Sequence, residues 1–218
     1  MRTLPVFTLL ALVTFGLVAR PSDVVAAGSI AHVHIDHIAT SWEGTPQSKG
    51  LLPTAITEAK IAIQHAEFAA SRRGDLAWMK MHTRHVLHAV DPSVETKGPG
   101  LGYGVMQAAR GISQHIAFAS GSDGASENVR AHAVHIATTA ENTVIRAHEI
   151  VALGEKVLAA RGAPQAAPLV QQIKRLSEQL LFGADANGDG IITSQKGEGG
   201  LNEADKHMGF MAKGEDLR

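Results

Sequence analysis

The stretch ENVRAHAVHIATTAENTVIRAHEIVALGEKVLAA, Glu127 to Ala160, decides the fold. It contains no proline, and Ser126 stands before it as an N-cap. A helix turns about 100° per residue. On that wheel Val129, Ala133, Ile136, Ala140 and Ala147 form one stripe, the mark of a helix with one buried face. His132 falls on the shoulder of the stripe, His135 farther round, and His148 on the polar side.

The same period extends outward in both directions. Thr54 to Arg72 reads as a helix capped by Thr54. Gly74-Asp75 opens another, which Asp91-Pro92 stops. Tyr103 to about Ala119 is a further helix, and Pro168 to about Phe182 another. No β-period alternation of any length occurs. The expected fold is all-α: a histidine-bearing antiparallel bundle over residues 28–165, with a helix-loop-helix unit over 166–218 packed on it. "GPGLGYG", Gly98 to Gly104, follows no strand and lacks the Lys-Ser/Thr ending of a phosphate loop. It reads as an inter-helix connection.

Composition narrows the function classes. The chain has 218 residues, with 20 basic and 21 acidic side chains. Such balance gives no electrostatic footprint for nucleic acid or for an anionic membrane. Cysteine is absent, so disulfides and thiolate metal sites are excluded. The N-terminus carries Arg2, an apolar run from Leu4 to Val18, and small residues at Ala26-Ala27. That is the layout of a cleavable secretory signal over residues 1–27, implying export to the periplasm or medium and no stable membrane insertion after cleavage. No nucleophile–base pair or oxyanion device is visible.

Histidine is the chemistry-bearing residue. His65, His82, His115 and His132 each fall on or beside the apolar face of a different helix, with His85 on the edge of the His82 face and His88 nearer water. A buried imidazole needs a partner, and bundle cores are a known place for a shared metal or haem. The expectation is one inner site built from these residues. Met79, Met81 and Met106 lean toward copper, with zinc or b-type haem as other occupants. Ala62, Ala66, Ala108 and Ala109 could leave room for a macrocycle. His32, His34 and His37 read as a separate, exposed metal-capture arm or a polar, partly ordered segment. His-x-x-His recurs along the chain as a ligand pattern.

The most specific stretch is DANGDGIITSQKGEGGL, Asp185 to Leu201. Asp185, Asn187 and Asp189 alternate before Gly190 and Ile192. This resembles the EF-hand calcium loop. The resemblance implies calcium held by Asp185, Asn187, Asp189, the Ile191 carbonyl and Thr193. Lys196 stands where the family carries a bidentate Glu, and Glu198 is the candidate that closes a longer loop. It covers about 30 residues, with "LSEQLLFGA" as the entering helix and "LNEADKHMGFMAK" as the exiting one. The functions that follow are an exported protein storing, sequestering or delivering metal ions, a b-type haem electron-transfer protein, or a calcium-stabilised interaction module.

Overall fold

The computed structural model describes residues 29–217. The signal segment expected over residues 1–27 lies outside them. Among the described residues there are seven α-helices: α1 Ile30–Ala39, α2 Leu51–Ser71, α3 Leu76–Val90, α4 Val105–Gly121, α5 Glu127–Ala159, α6 Ala163–Phe182 and α7 Leu201–Gly214. No strand occurs among the described residues.

The long helix α5 is the spine, and α3, α4, α6 and α7 pack on it. Helix α2 packs on α3, α4 and α6, and α1 packs on α4. Short connections join the consecutive pairs α2–α3, α4–α5 and α5–α6, so each pair runs antiparallel. Val129, Ala133, Ile136, Ala140 and Ala147 are all buried, as the wheel of α5 requires. Helix α6 contributes Ala166, Val170, Ile173 and Leu180 to the same core as α2 and α5.

Capping follows the sequence at two starts. Asp75 accepts from the Trp78 N–H, and Ser126 from the Val129 N–H. Three boundaries differ from expectation. Helix α2 starts at Leu51, so Thr54 is inside it and its hydroxyl donates to the Gly50 carbonyl at 2.8 Å. Helix α6 starts at Ala163, with Pro164 in its first turn and Pro168 inside. Residues 30–39 form a regular helix, capped by Ser29, not an exposed arm. Ala31, Ile35 and Ile38 recur at i, i+4 and i+7 and are buried. The three histidines between them mask that stripe in the sequence.

The glycine-rich connection is wrapped around a buried carboxylate. Glu58 is fully buried, and its Oε1 accepts from the N–H groups of Tyr103 and Gly104, both at 3.0 Å. It thereby serves donors at the start of α4 that no helical carbonyl reaches. Gly104 has φ +84°, and a Cβ there would meet Pro92 at 2.5 Å, so only glycine fits. Ala62, Ala66, Ala108 and Ala109 are fully buried. Ala62, Ala66 and Ala108 belong to the hydrophobic core.

Candidate metal centres

Nine of the twelve histidines gather by threes, at three separate places. The His65, His82, His115 and His132 expected at one inner site are divided among all three. In the first cluster α1 supplies His34 and His37, and α4 supplies His115. In the second α3 supplies His82 and His85, and α2 supplies His65. In each of these two clusters, one ligand atom from each histidine lies within 4.8 Å of the others, a group able to hold a metal ion. The third gathers His132 and His135 of α5 around His207 of α7.

One design recurs. Two histidines three residues apart on one helix face a single histidine on another. That single histidine is the hub, and in the first two clusters both facing Nδ1 atoms converge on it. His34 Nδ1 is 3.0 Å and His37 Nδ1 3.3 Å from His115 Nδ1. His82 Nδ1 is 2.9 Å and His85 Nδ1 3.3 Å from His65 Nδ1. His132 Nδ1 is 3.0 Å from His207 Nδ1. Three residues after each hub stands a phenylalanine: Phe118, Phe68 and Phe210. Each packs on the first histidine of the facing pair, with ring centroids 5.2, 5.2 and 5.7 Å apart. A tryptophan walls two of the clusters. Trp42 lies 4.7 Å from both His37 and His115, and Trp78 4.3 Å from His82.

The proton count of such a group is awkward without a cation. A neutral imidazole has one N–H and one lone pair. The hub Nδ1 can accept one N–H, and the third Nδ1 then faces it with no complementary group left. A second proton would relieve this only by making an imidazolium, which the surroundings oppose. Burial, followed by the neighbouring His85 and His82, pushes His65 from an ordinary 6.5 down to about 4. His115 is lowered by burial and then by His37 and His34. His34 and His82 are also lowered, chiefly by burial. His85 is lowered by burial against an opposing pull from Glu95. At neutral pH these rings are uncharged and their lone pairs free, the state a metal needs. His82 also buries its Nε2 without a partner, so its Nδ1 is the nitrogen that makes contact.

His88 was expected nearer water. It is buried, because residues 95–98 fold over it. Its Nδ1 lies 2.8 Å from the Glu95 carbonyl, and Gly98 packs against the ring. His32 pairs with Glu215 at 3.0 Å, and His148 lies 3.0 Å from the Arg110 guanidinium. Met79 and Met106 are buried in the hydrophobic core and Met81 is exposed; packing accounts for the first two.

The Asp185–Glu198 loop has a different construction. Asp185 Oδ1 accepts from the Gly188 and Asp189 N–H groups at 2.7 and 3.2 Å, and its Oδ2 from Gly190 at 2.9 Å. Asn187 Oδ1 accepts from the Asp189 N–H, and Asp189 Oδ1 from Ile191. Gly188 and Gly190 take positive φ, +79° and +84°. Glu198 is buried, and its Oε2 accepts from the Thr193 N–H and hydroxyl at 2.9 and 2.6 Å. Lys196 is exposed. Arg146 of α5 fixes the loop's far side, donating to the carbonyls of Gln179, Gly197, Glu198 and Gly199. Asn142 adds bonds to Gln195 and Gly197.

The sequence reading missed His34 and His37 as partners of His115, and His135 and His207 as partners of His132. One signal was present: His-x-x-Phe at 65–68, 115–118 and 207–210. Fold and clusters together define a class: an all-helical protein with tri-histidine groups that could hold metal ions. Comparison with protein-family models, with curated proteins and with solved structures finds no match.

Proposed function

We propose that this is an exported metal-binding protein. It holds a transition metal, copper foremost, at His34/His37/His115 and at His65/His82/His85, and calcium at the Asp185–Glu198 loop. Its role is to store, sequester or deliver the transition metal. The observation that carries this reading is the convergence of three imidazole nitrogens in each of two clusters. Copper is favoured by the donor set. All three ligands are imidazole nitrogens, and for nitrogen sites copper(II) binds most tightly of the first-row divalent ions. Haem fits less well. Nδ1 atoms about 3 Å apart leave no slot for a macrocycle between them.

Calcium at the loop rests on the alternating Asp185, Asn187 and Asp189 and on the buried Glu198 carboxylate. Ile191 would offer its carbonyl and Thr193 its hydroxyl. Export rests on the charge, apolar run and small residues of positions 1–27.

The test is a metal titration of metal-free protein, read by elemental analysis after gel filtration. At least two equivalents of copper per chain are expected, with zinc displaced by copper. His65→Ala and His115→Ala should each remove one equivalent. A chain that retains no transition metal overturns the reading, and preference for zinc over copper overturns the choice of metal.

A further inference from the structure

Helices α5 and α7 repeat the design of the two tri-histidine clusters with one part out of place. His132 and His135 are spaced as His34/His37 and His82/His85 are, and His207 is spaced from Phe210 as the other hubs are from their phenylalanines. The first histidine of each pair meets its hub in the same way. Nδ1 separations are 3.0, 2.9 and 3.0 Å for His34, His82 and His132. The second histidine does not. His37 and His85 stand edge-on to their hubs, with ring planes at 84° and 81°. His135 instead lies flat on His207 at 21°, with centroids 4.3 Å apart, and its Nδ1 is bonded to the Ser194 hydroxyl.

We infer that His132, His135 and His207 form a third transition-metal site, in which Ser194 holds the third ligand aside until metal arrives. The inference rests on the reading of the other two clusters as metal sites. Two observations support it beyond the spacing. The hub's other nitrogen, His207 Nε2, lies 3.4 Å from the Glu203 carboxylate. A carboxylate behind the ring is the usual outer partner of a metal-bound imidazole, and it aims Nδ1 at the ligand side. His135 is exposed, so its ring can turn about its side-chain bonds without disturbing the core. The motion is a rotamer change that exchanges one hydroxyl contact for a metal bond.

The placement of the latch gives this site a property the others lack. Ser194 follows Thr193, which Glu198 holds, and His207 sits on the helix that leaves the loop. The latch is therefore set only while the Asp185–Glu198 segment is folded onto α5, which ties the third ligand's position to the loop.

Metal-free full-length mature protein is titrated with Cu(II), and bound copper is counted per chain. Three equivalents are expected. His207→Gln and His135→Gln should each lower the count to two, and His132→Gln likewise. Ser194→Ala should keep three and tighten the weakest by severalfold, because His135 no longer leaves a hydroxyl. Histidine ring NMR of the wild type should show the His135 signals shift or broaden as the third equivalent binds. His135 lies on the surface, so its variant keeps the test sound if His207→Gln fails to fold. A wild-type count of two, unchanged in His135→Gln, overturns the third site and leaves the other two standing. A count of zero overturns both readings.

Discussion

The tri-histidine clusters and the Asp185–Glu198 loop gather donors in opposite ways. Each cluster joins residues distant in the chain: His34 and His115, His65 and His82, His132 and His207. Rigid helices already packed on one another bring them together. The loop draws its oxygens from one short segment, and its backbone N–H groups hold them where no cation is needed. A packed cluster arrives preorganised, so its affinity depends on each imidazole. In the loop, a proposed calcium would meet oxygens already held by backbone N–H groups, so its affinity is expected to depend on how far the segment must rearrange.

The largest effect should come from removing a hub. His65→Ala deletes the ring on which His82 and His85 both converge. The second cluster's copper affinity should fall by more than the roughly 10–100-fold that loss of an outer partner costs. Asp185→Ala should leave that affinity unchanged. Competition with a chromophoric chelator measures both. Equal losses from the two variants would break the contrast.

Acid separates the two regions next. His65 titrates near 4 in the folded chain against 6.5 when free. Between those values the unfolded chain binds more protons, so its depressed pKa makes stability rise with pH. The metal-free protein should hold its full stability above about pH 6.5 and lose part of it progressively toward pH 4, where the loss ends. Copper should be released over the same window as the rings protonate. His65→Gln should flatten the melting profile there. A slope that survives in that variant would assign the window to other groups.

Calcium, proposed for the loop, is expected to have a smaller effect. At 100 times its dissociation constant, a ligand of the folded state adds about 2.7 kcal/mol. For a chain of this size that is roughly 5–10 °C in Tm. Asp189→Ala should abolish the gain, and Glu198→Gln should reduce it. Chelator and millimolar calcium giving one melting curve would remove calcium from the loop.

The same contrast explains what the sequence made legible. The helical class, the caps at Asp75 and Ser126 and the α5 stripe were readable, because each is a local pattern of a few turns. That a connection separates the helices now seen as α6 and α7 was readable for the same reason. Periodicity also placed His82 on a buried face. It could not say which helix lay opposite, so four inward histidines looked like one site. Helix α1 was hidden because His32, His34 and His37 crowd out most of its polar contrast. His88 was misplaced because its cover comes from residues 95–98, and a wheel drawn for one helix knows nothing of a neighbouring loop.

His82 and His88 share α3 and test the contrast at its finest grain. Both are buried, at 6% and 7% exposure, so burial alone predicts similar behaviour. Their partners differ. His82 Nδ1 faces His65, while His88 Nδ1 is matched by the Glu95 carbonyl. A matched imidazole has no lone pair to offer at that nitrogen, because the contact requires it to donate. His88→Ala should therefore leave copper affinity intact. It should cost about 1 kcal/mol for the hydrogen bond, roughly 2–4 °C in Tm, plus whatever the space under Gly98 fails to refill. His82→Ala should do the reverse on affinity, leaving His65 and His85 as an incomplete pair. Calorimetric copper titration and thermal melting of the two variants separate ligand from packing. Matching affinity losses would show that α3 acts through its packing and that the convergence on His65 is not a metal site.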